Sequence, residues 1–168
     1  MQKSGGKLGY ESEAFAIYDT MRYVKPPIFT VCVGNAFGEA AMLLAAGEKV
    51  RLFRFSRAPR HVTQCFSQGK RASLPSATIM LRQPMQRFTQ MQASDIDIYR
   101  NELRKTKDEV VRLLSKHIGK TEAEIERDTA RPKYFDPYGA VDYGIIDQVL
   151  EAGDVDAVKK MQQATLRR

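Results

Sequence analysis

The sequence predicts an α/β fold, and three observations carry that expectation. Two short β-branched or aromatic runs, residues 28–33 and 76–81, end at Gly34 and shortly before Pro84. An apolar, alanine-rich stretch over 37–46 lies between them and has the length of a buried helix. A long amphipathic stripe then runs over 94–117. Strand, helix, strand and long helix in alternation place helices against a sheet rather than in a bundle.

The elements follow in chain order. Over 11–23, Phe15, Ile17, Tyr18 and Met21 recur at helical spacing, and Pro26 and Pro27 stop the helix. Residues 28–33 form a buried strand and 37–46 a buried helix. Ser76 opens the second strand. Ser94 is the expected N-cap of the long helix, with Asp97 at the third helical position. Ile96, Tyr99, Leu103, Val110, Leu113, Leu114 and His117 fall on one stripe, and Gly119 is the expected stop. Thr121, with Glu124 three residues on, caps a further short helix over 121–127.

Composition narrows the functional classes. A chain of 168 residues with 43% hydrophobic and 28% charged residues is long enough to bury a core. It contains no run of 18 apolar residues, so a membrane span is not expected. Two cysteines, Cys32 and Cys65, give no disulfide framework, and a reducing compartment is the default. The net charge of +7 is local: Lys49 to Ser94 holds nine basic residues and no acidic one, leaving 18 basic against 20 acidic residues elsewhere. No nucleic-acid motif accompanies that charge, so a solvated basic loop explains it better than nucleic-acid binding. No metal-ligand spacing or phosphate-binding glycine loop is present, and neither a metal nor a cofactor is expected.

Three segments carry a family resemblance. Residues 33–47 read V-G-N-A-F-G-E-A-A-M-L-L-A-A-G, 76–84 read S-A-T-I-M-L-R-Q-P, and 125–150 contain I-E-R-D-T-A-R-P-K-Y-F and A-V-D-Y-G-I-I-D. They resemble the proteolytic subunit of Clp protease, ClpP, over most of residues 5–150. The resemblance implies a crotonase-like superhelix of ββα repeats with a protruding handle helix over 94–117. It also places the family's catalytic serine, histidine and aspartate on Gly38, Arg82 and Pro132. A triad needs a nucleophile, a base titrating near neutrality and an orienting acid. Glycine has no hydroxyl, arginine keeps its proton, and proline has no acidic group. The pattern is therefore similar to ClpR, the non-catalytic paralogue of plastid and cyanobacterial Clp cores.

From that resemblance follow the remaining expectations. The oxyanion-hole positions fall on Glu39 and on the Gly5-Gly6 turn, and the Glu39 carboxylate would oppose a developing negative charge. His61 and His117 match no catalytic position. Gln86 and Arg87 replace paired glycines along the substrate strand. Ile96, Tyr99, Leu103 and Val110 would form the oligomer interface of the handle helix. The partners implied are ClpP-type and other ClpR subunits in a mixed heptameric or tetradecameric ring, with an AAA+ Clp chaperone docked on it. The compartment implied is the chloroplast stroma, or the cytoplasm of a cyanobacterium-like source. Competing assignments are a serine-type peptidase subunit with residual activity and a crotonase-like acyl-CoA enzyme.

Two segments depart from the family pattern. The chain opens at the glycine-rich turn over 4–21, which the family places about a third of the way along, so residues 1–150 form an incomplete domain followed by a tail, 151–168. Residues 50–68 interrupt the family pattern: removing them joins Gly47-Glu48-Lys49 to Gly69-Lys70-Arg71. They are either a basic loop insertion or retained intron sequence.

Overall fold

A computed structural model describes residues 11–49, 69–85 and 92–151. The Gly5-Gly6 turn, residues 50–68 with His61, Gln86 and Arg87, and the tail beyond 151 lie outside the described residues. The described part consists of α1 (Glu11–Tyr23), β1 (Thr30–Cys32), β2 (Asn35–Phe37), α2 (Glu39–Ala45), β3 (Arg71–Ser73), β4 (Thr78–Leu81), α3 (Ala93–Ile118), α4 (Glu122–Thr129), β5 (Lys133–Phe135), α5 (Pro137–Tyr143) and β6 (Gln148–Val149).

The strands form two three-stranded sheets, ordered β1-β3-β6 and β2-β4-β5. Each pair of consecutive strands is split between them: β1 and β3 lie parallel in the first, β2 and β4 parallel in the second. A helix follows each pair, which makes two successive ββα units, β1-β2-α2 and β3-β4-α3. This is the expected α/β architecture of ββα repeats. Parallel neighbours require such crossovers. β5 returns antiparallel to β4, with Leu81 opposite Lys133.

The core lies between the sheets and the helices. Met42, Leu44, Ile79, Leu81, Leu114, Ile125, Ile145 and Ile146 are almost fully buried there. A buried arginine ties the helix ends together. Arg71, on β3, forms a two-pronged pair with Asp147: Nε donates to Oδ2 at 2.9 Å and Nη2 to Oδ1 at 2.6 Å. Its Nη1 also donates to the carbonyls of Ala45, His117 and Gly144, at the C-terminal ends of α2, α3 and α5. Helix ends leave such carbonyls without an intrahelical partner, and the guanidinium satisfies three of them.

Several boundaries differ from the sequence expectation. Phe37 belongs to β2 rather than to the helix, which starts at Glu39. Ser94 does not cap α3. The N-cap is Gln92, in extended backbone, and its carbonyl accepts from Asp95 and Ile96. The helix thus begins before Ser94, which moves Asp97 past the third helical position. Gly119 ends α3 as expected, at φ 89°. Thr121 and Glu124 form a complete capping box on α4. The stripe on α3 is divided: Val110, Val111, Leu113 and Leu114 are buried, whereas residues 93–109 are exposed or half-buried. Val110 is a core residue at 8% exposure and is not available as surface, because it sits where α3 first meets the body of the domain.

The residues flanking the 50–68 segment meet in space. The Lys70 amide donates to the Glu48 carbonyl at 3.0 Å, and Lys70 Nζ pairs with the Glu48 carboxylate at 2.7 Å.

Candidate functional site

The site builds on the junction between β2 and α2. β2 ends at Phe37, and the chain turns into α2 within one residue. Gly38 makes the turn at φ 57° and ψ −109°, a combination that side-chain-bearing residues rarely adopt. Its amide donates to the Met80 carbonyl at 2.8 Å, and its carbonyl accepts from Met42 at 3.1 Å. One bond thus continues the β ladder and the other starts the helix. A sharp strand-to-helix turn of this kind presents its residue at the edge of a sheet, the geometry that hydrolases use to expose a nucleophile. Here residue 38 has nothing to expose.

Arg82 lies one step beyond β4 and leans onto that turn. A Cβ placed on residue 38 would stand 3.1 Å from Arg82 Nε, 3.5 Å from its Cγ and 3.8 Å from its Cδ. Among the described residues, Nε is buried without a hydrogen-bond partner. The other end of the guanidinium approaches Glu39, with Nη2 3.9 Å from Oε2. That separation is an ion pair but too long for a hydrogen bond. Glu39 sits in the first turn of α2, where a carboxylate is favoured by the helix dipole.

Pro132 closes the arrangement. The antiparallel register pairs Leu81 with Lys133, so one further step sets residue 132 opposite residue 82. Residues 38, 82 and 132 therefore gather at one end of the β2-β4-β5 sheet. Pro132 is exposed and has no amide to extend the ladder. The last carboxylate of the preceding helix, Asp128, is already engaged. It accepts from Tyr143 Oη at 2.6 Å and pairs with Lys133 at 3.2 Å. Those contacts, the tyrosine first, hold Asp128 below the usual carboxylate range. Burial, then the same hydrogen bond, pushes the Tyr143 phenol well above its usual value. Lys120 stands 3.8 Å from the centre of the Tyr143 ring, within cation–π range. The cluster anchors the end of α4 to α5 and was not anticipated from the sequence.

The remaining sequence candidates lie elsewhere or serve the core. His117 Nε2 is 3.0 Å from Tyr18 Oη, with the rings edge-to-face at 5.5 Å. Burial, reinforced by Arg22, Lys116, Arg71 and Lys49, pushes it down to about 4. It is a neutral histidine joining α1 to α3. Ser76 lies in the turn before β4. Ile96 and Leu103 are half-buried along the outer part of α3, Tyr99 is exposed at 37%, and Ile98, outside the expected stripe, is exposed at 67%. Among the described residues, no group of three His, Cys, Asp or Glu side chains could hold a metal ion, and no helix is long and apolar enough to cross a membrane.

The family profile described as Clp protease matches residues 3–59 and 56–153. The chain belongs to the Clp protease family. As a member of that family, it is 52% identical over 167 residues to the ATP-dependent Clp protease proteolytic subunit-related protein 4, chloroplastic, of Arabidopsis thaliana; this covers 95% of the chain and 48% of the relative. It is 42% identical over 149 residues to a putative ATP-dependent Clp protease proteolytic subunit-like protein of Synechococcus elongatus, covering 89% of the chain and 57% of the relative. A third relative, the ATP-dependent Clp protease proteolytic subunit 2 of Gloeobacter violaceus, is 45% identical over 148 residues, covering 88% of the chain and 59% of the relative. This Clp-family chain thus spans about half the length of the curated relatives it matches.

Proposed function

We propose that this chain is a non-catalytic, structural subunit of an ATP-dependent Clp protease core. On this reading, Gly38, Arg82 and Pro132 are the degenerate positions of a serine, histidine and aspartate triad. The observation that carries the proposal is the turn at Gly38: a strand-to-helix elbow of nucleophile-bearing form, with no side chain on it and an arginine pressed against it. Glu39 at the adjoining position adds a negative charge where an oxyanion would need donors. The Gly6 side of that hole belongs to the same proposal.

The function left to such a subunit is assembly. It would complete a mixed heptameric or tetradecameric ring with ClpP-type and other ClpR subunits, and help form the surface on which an AAA+ Clp chaperone docks. The outer part of α3 supports this, since it extends away from the core and carries Ile96, Ile98, Tyr99 and Leu103. The chloroplast stroma is the proposed compartment, and the printed name of the 52%-identical relative supports it. The test has two arms. The purified chain should neither hydrolyse peptides nor react with a fluorophosphonate, and when co-expressed with ClpP-type subunits it should elute with them. Serine labelling that tracks peptide turnover would overturn the non-catalytic assignment.

A further inference from the structure

The outer face of the β2-β4-β5 sheet carries an aromatic pair beside the Gly38 turn. Phe37, Met80 and Tyr134 are in register across the three strands, so their side chains share one face. The opposite face carries Ala36, Ile79 and Leu81, all within the core. Phe37 and Tyr134 stand on the outer strands, yet their ring centres are only 6.1 Å apart, at an interplanar angle of 84°. They meet across Met80, which is 6% exposed although it points away from the core. Phe37 and Tyr134 themselves remain 40% and 63% exposed. An edge-to-face pair of this kind is a preferred aromatic geometry and holds its own position.

This face also borders the Arg82 side of residue 38, which is itself buried. The inner face is filled by core side chains, and the position of a Cβ on residue 38 lies against Arg82. Alternation along β4 places residue 82 on the same face as Met80. A group that reaches residue 38 over the outer face passes Phe37, the residue before it on β2.

We infer that the Phe37–Tyr134 pair is a steric barrier over the degenerate site, limiting what reaches residue 38 to small groups. The inference rests on the proposed non-catalytic reading and adds a second obstruction to it. The missing triad removes the chemistry, while the aromatic roof restricts access for an extended peptide with a bulky side chain next to the reacting carbonyl. Restoring the triad residues alone would leave that restriction in place.

The test measures access without requiring catalysis. In the full chain carrying Cys32→Ala and Cys65→Ser, so that no native thiol remains, a thiol is introduced by Gly38→Cys, and separately by Arg82→Cys, whose backbone imposes no positive φ. Each is combined with Phe37 or with Phe37→Ala, and folding is checked by circular dichroism. Alkylation by iodoacetamide and by a bulky N-naphthyl iodoacetamide is followed by intact mass. The bulky-to-small rate ratio cancels the thiolate fraction, which depends on the local pKa. Phe37→Ala should raise that ratio about tenfold at either thiol, equivalent to about 1.4 kcal/mol of activation free energy. A ratio unchanged at both thiols would overturn the barrier. So would failure of iodoacetamide itself to label either thiol in the Phe37→Ala background. Serine-dependent turnover by the unsubstituted chain would sink the non-catalytic reading without altering these ratios, so the two failures are distinguishable.

Discussion

Arg82 Nε lies 3.1 Å from the point at which residue 38 would carry a Cβ, so the arginine lies against the turn between β2 and α2. The two residues fit each other. Glycine tolerates φ 57°, and it leaves room for the Arg82 chain to lie across the turn. Arginine in turn covers a backbone that would otherwise be open, and reaches Glu39 at its far end.

Gly38→Ser alone should therefore create no peptidase. The new hydroxyl would face a guanidinium that cannot take its proton, and loss of the base from such a triad costs about as much as loss of the whole, on the order of 10⁶ in rate. The serine would also sit at positive φ, with an expected stability loss of about 1–3 kcal/mol. Fluorophosphonate labelling and chemical denaturation of the variant check the two parts. Serine-dependent cleavage would show that another residue serves as base.

The buried histidine makes stability depend on pH. His117 is pushed down to about 4 in the folded chain, from an ordinary value of 6.5. Between those values the unfolded chain binds more protons than the folded one, so stability rises with pH across the window. The contribution is complete above 6.5 and lost as pH falls toward 4, by at most about 3 kcal/mol. Denaturation midpoints between pH 4 and 7 should show this slope, and His117→Gln should flatten it. An equal slope in the variant would place the titration elsewhere.

Helix caps separate what the sequence made legible from what it did not. Thr121 accepts from the Glu124 amide, and Glu124 returns a contact to the Thr121 amide, as the spacing of the two residues implied. Thr121→Ala should cost about 1 kcal/mol. Ser94 is exposed inside the first turn of α3, without the capping role its residue type suggested. Ser94→Ala should leave thermal stability unchanged. A comparable loss in both variants would contradict the assigned helix start.

The same division runs through the fold. α1 has the bounds that its stripe and Pro26 imply. Phe37 lies in β2 although the sequence favours the helix, because one apolar residue at a junction reads equally well as strand or helix. β3 has no local signal in the sequence, because it opens with Arg71, whose partner Asp147 is 76 residues away. α5 does carry a local signal: Asp136 accepts from the Gly139 amide and Pro137 stands at the first turn, a start arrangement that local chemistry favours. Grouping Gly38, Arg82 and Pro132 rests on resemblance to a family pattern rather than on local sequence. No spacing rule links a glycine, an arginine and a proline so far apart. Val110 shows the limit of periodicity, since one continuous stripe serves the core at one end of α3 and projects from it at the other.

Deleting residues 50–68 should leave the domain at least as stable. Their flanks are already joined through the Lys70 amide and the Glu48 carbonyl, and Lys70 and Glu48 pair again through their side chains. A shorter connection between ends held this close has a smaller closure entropy, by roughly half a kcal/mol per halving of length. The measurement is the thermal midpoint of the deletion variant against the full chain. A clear loss would mean that Leu52, Phe53 or Phe55 contributes to the core.

Assembly and folding should respond to different residues of one helix. Ile98 is exposed at 67% on the outer part of α3, whereas Val110 is buried at 8%. If the outer part docks against neighbouring subunits, an exposed isoleucine contributes by burial in that interface, at roughly 25 cal/mol per Å² of apolar area before association entropy is subtracted. Ile98→Glu would place a charge there and should reduce co-elution with ClpP-type subunits, with little effect on the chain's own unfolding. Val110→Ala should do the reverse, lowering stability by about 2 kcal/mol through lost burial and residual cavity while leaving the outer surface intact. Size-exclusion chromatography of co-expressed subunits, together with denaturation of each variant, separates the two effects. A stable monomer that never enters a mixed assembly, with Ile98→Glu indistinguishable from the parent chain, would refute the structural-subunit reading.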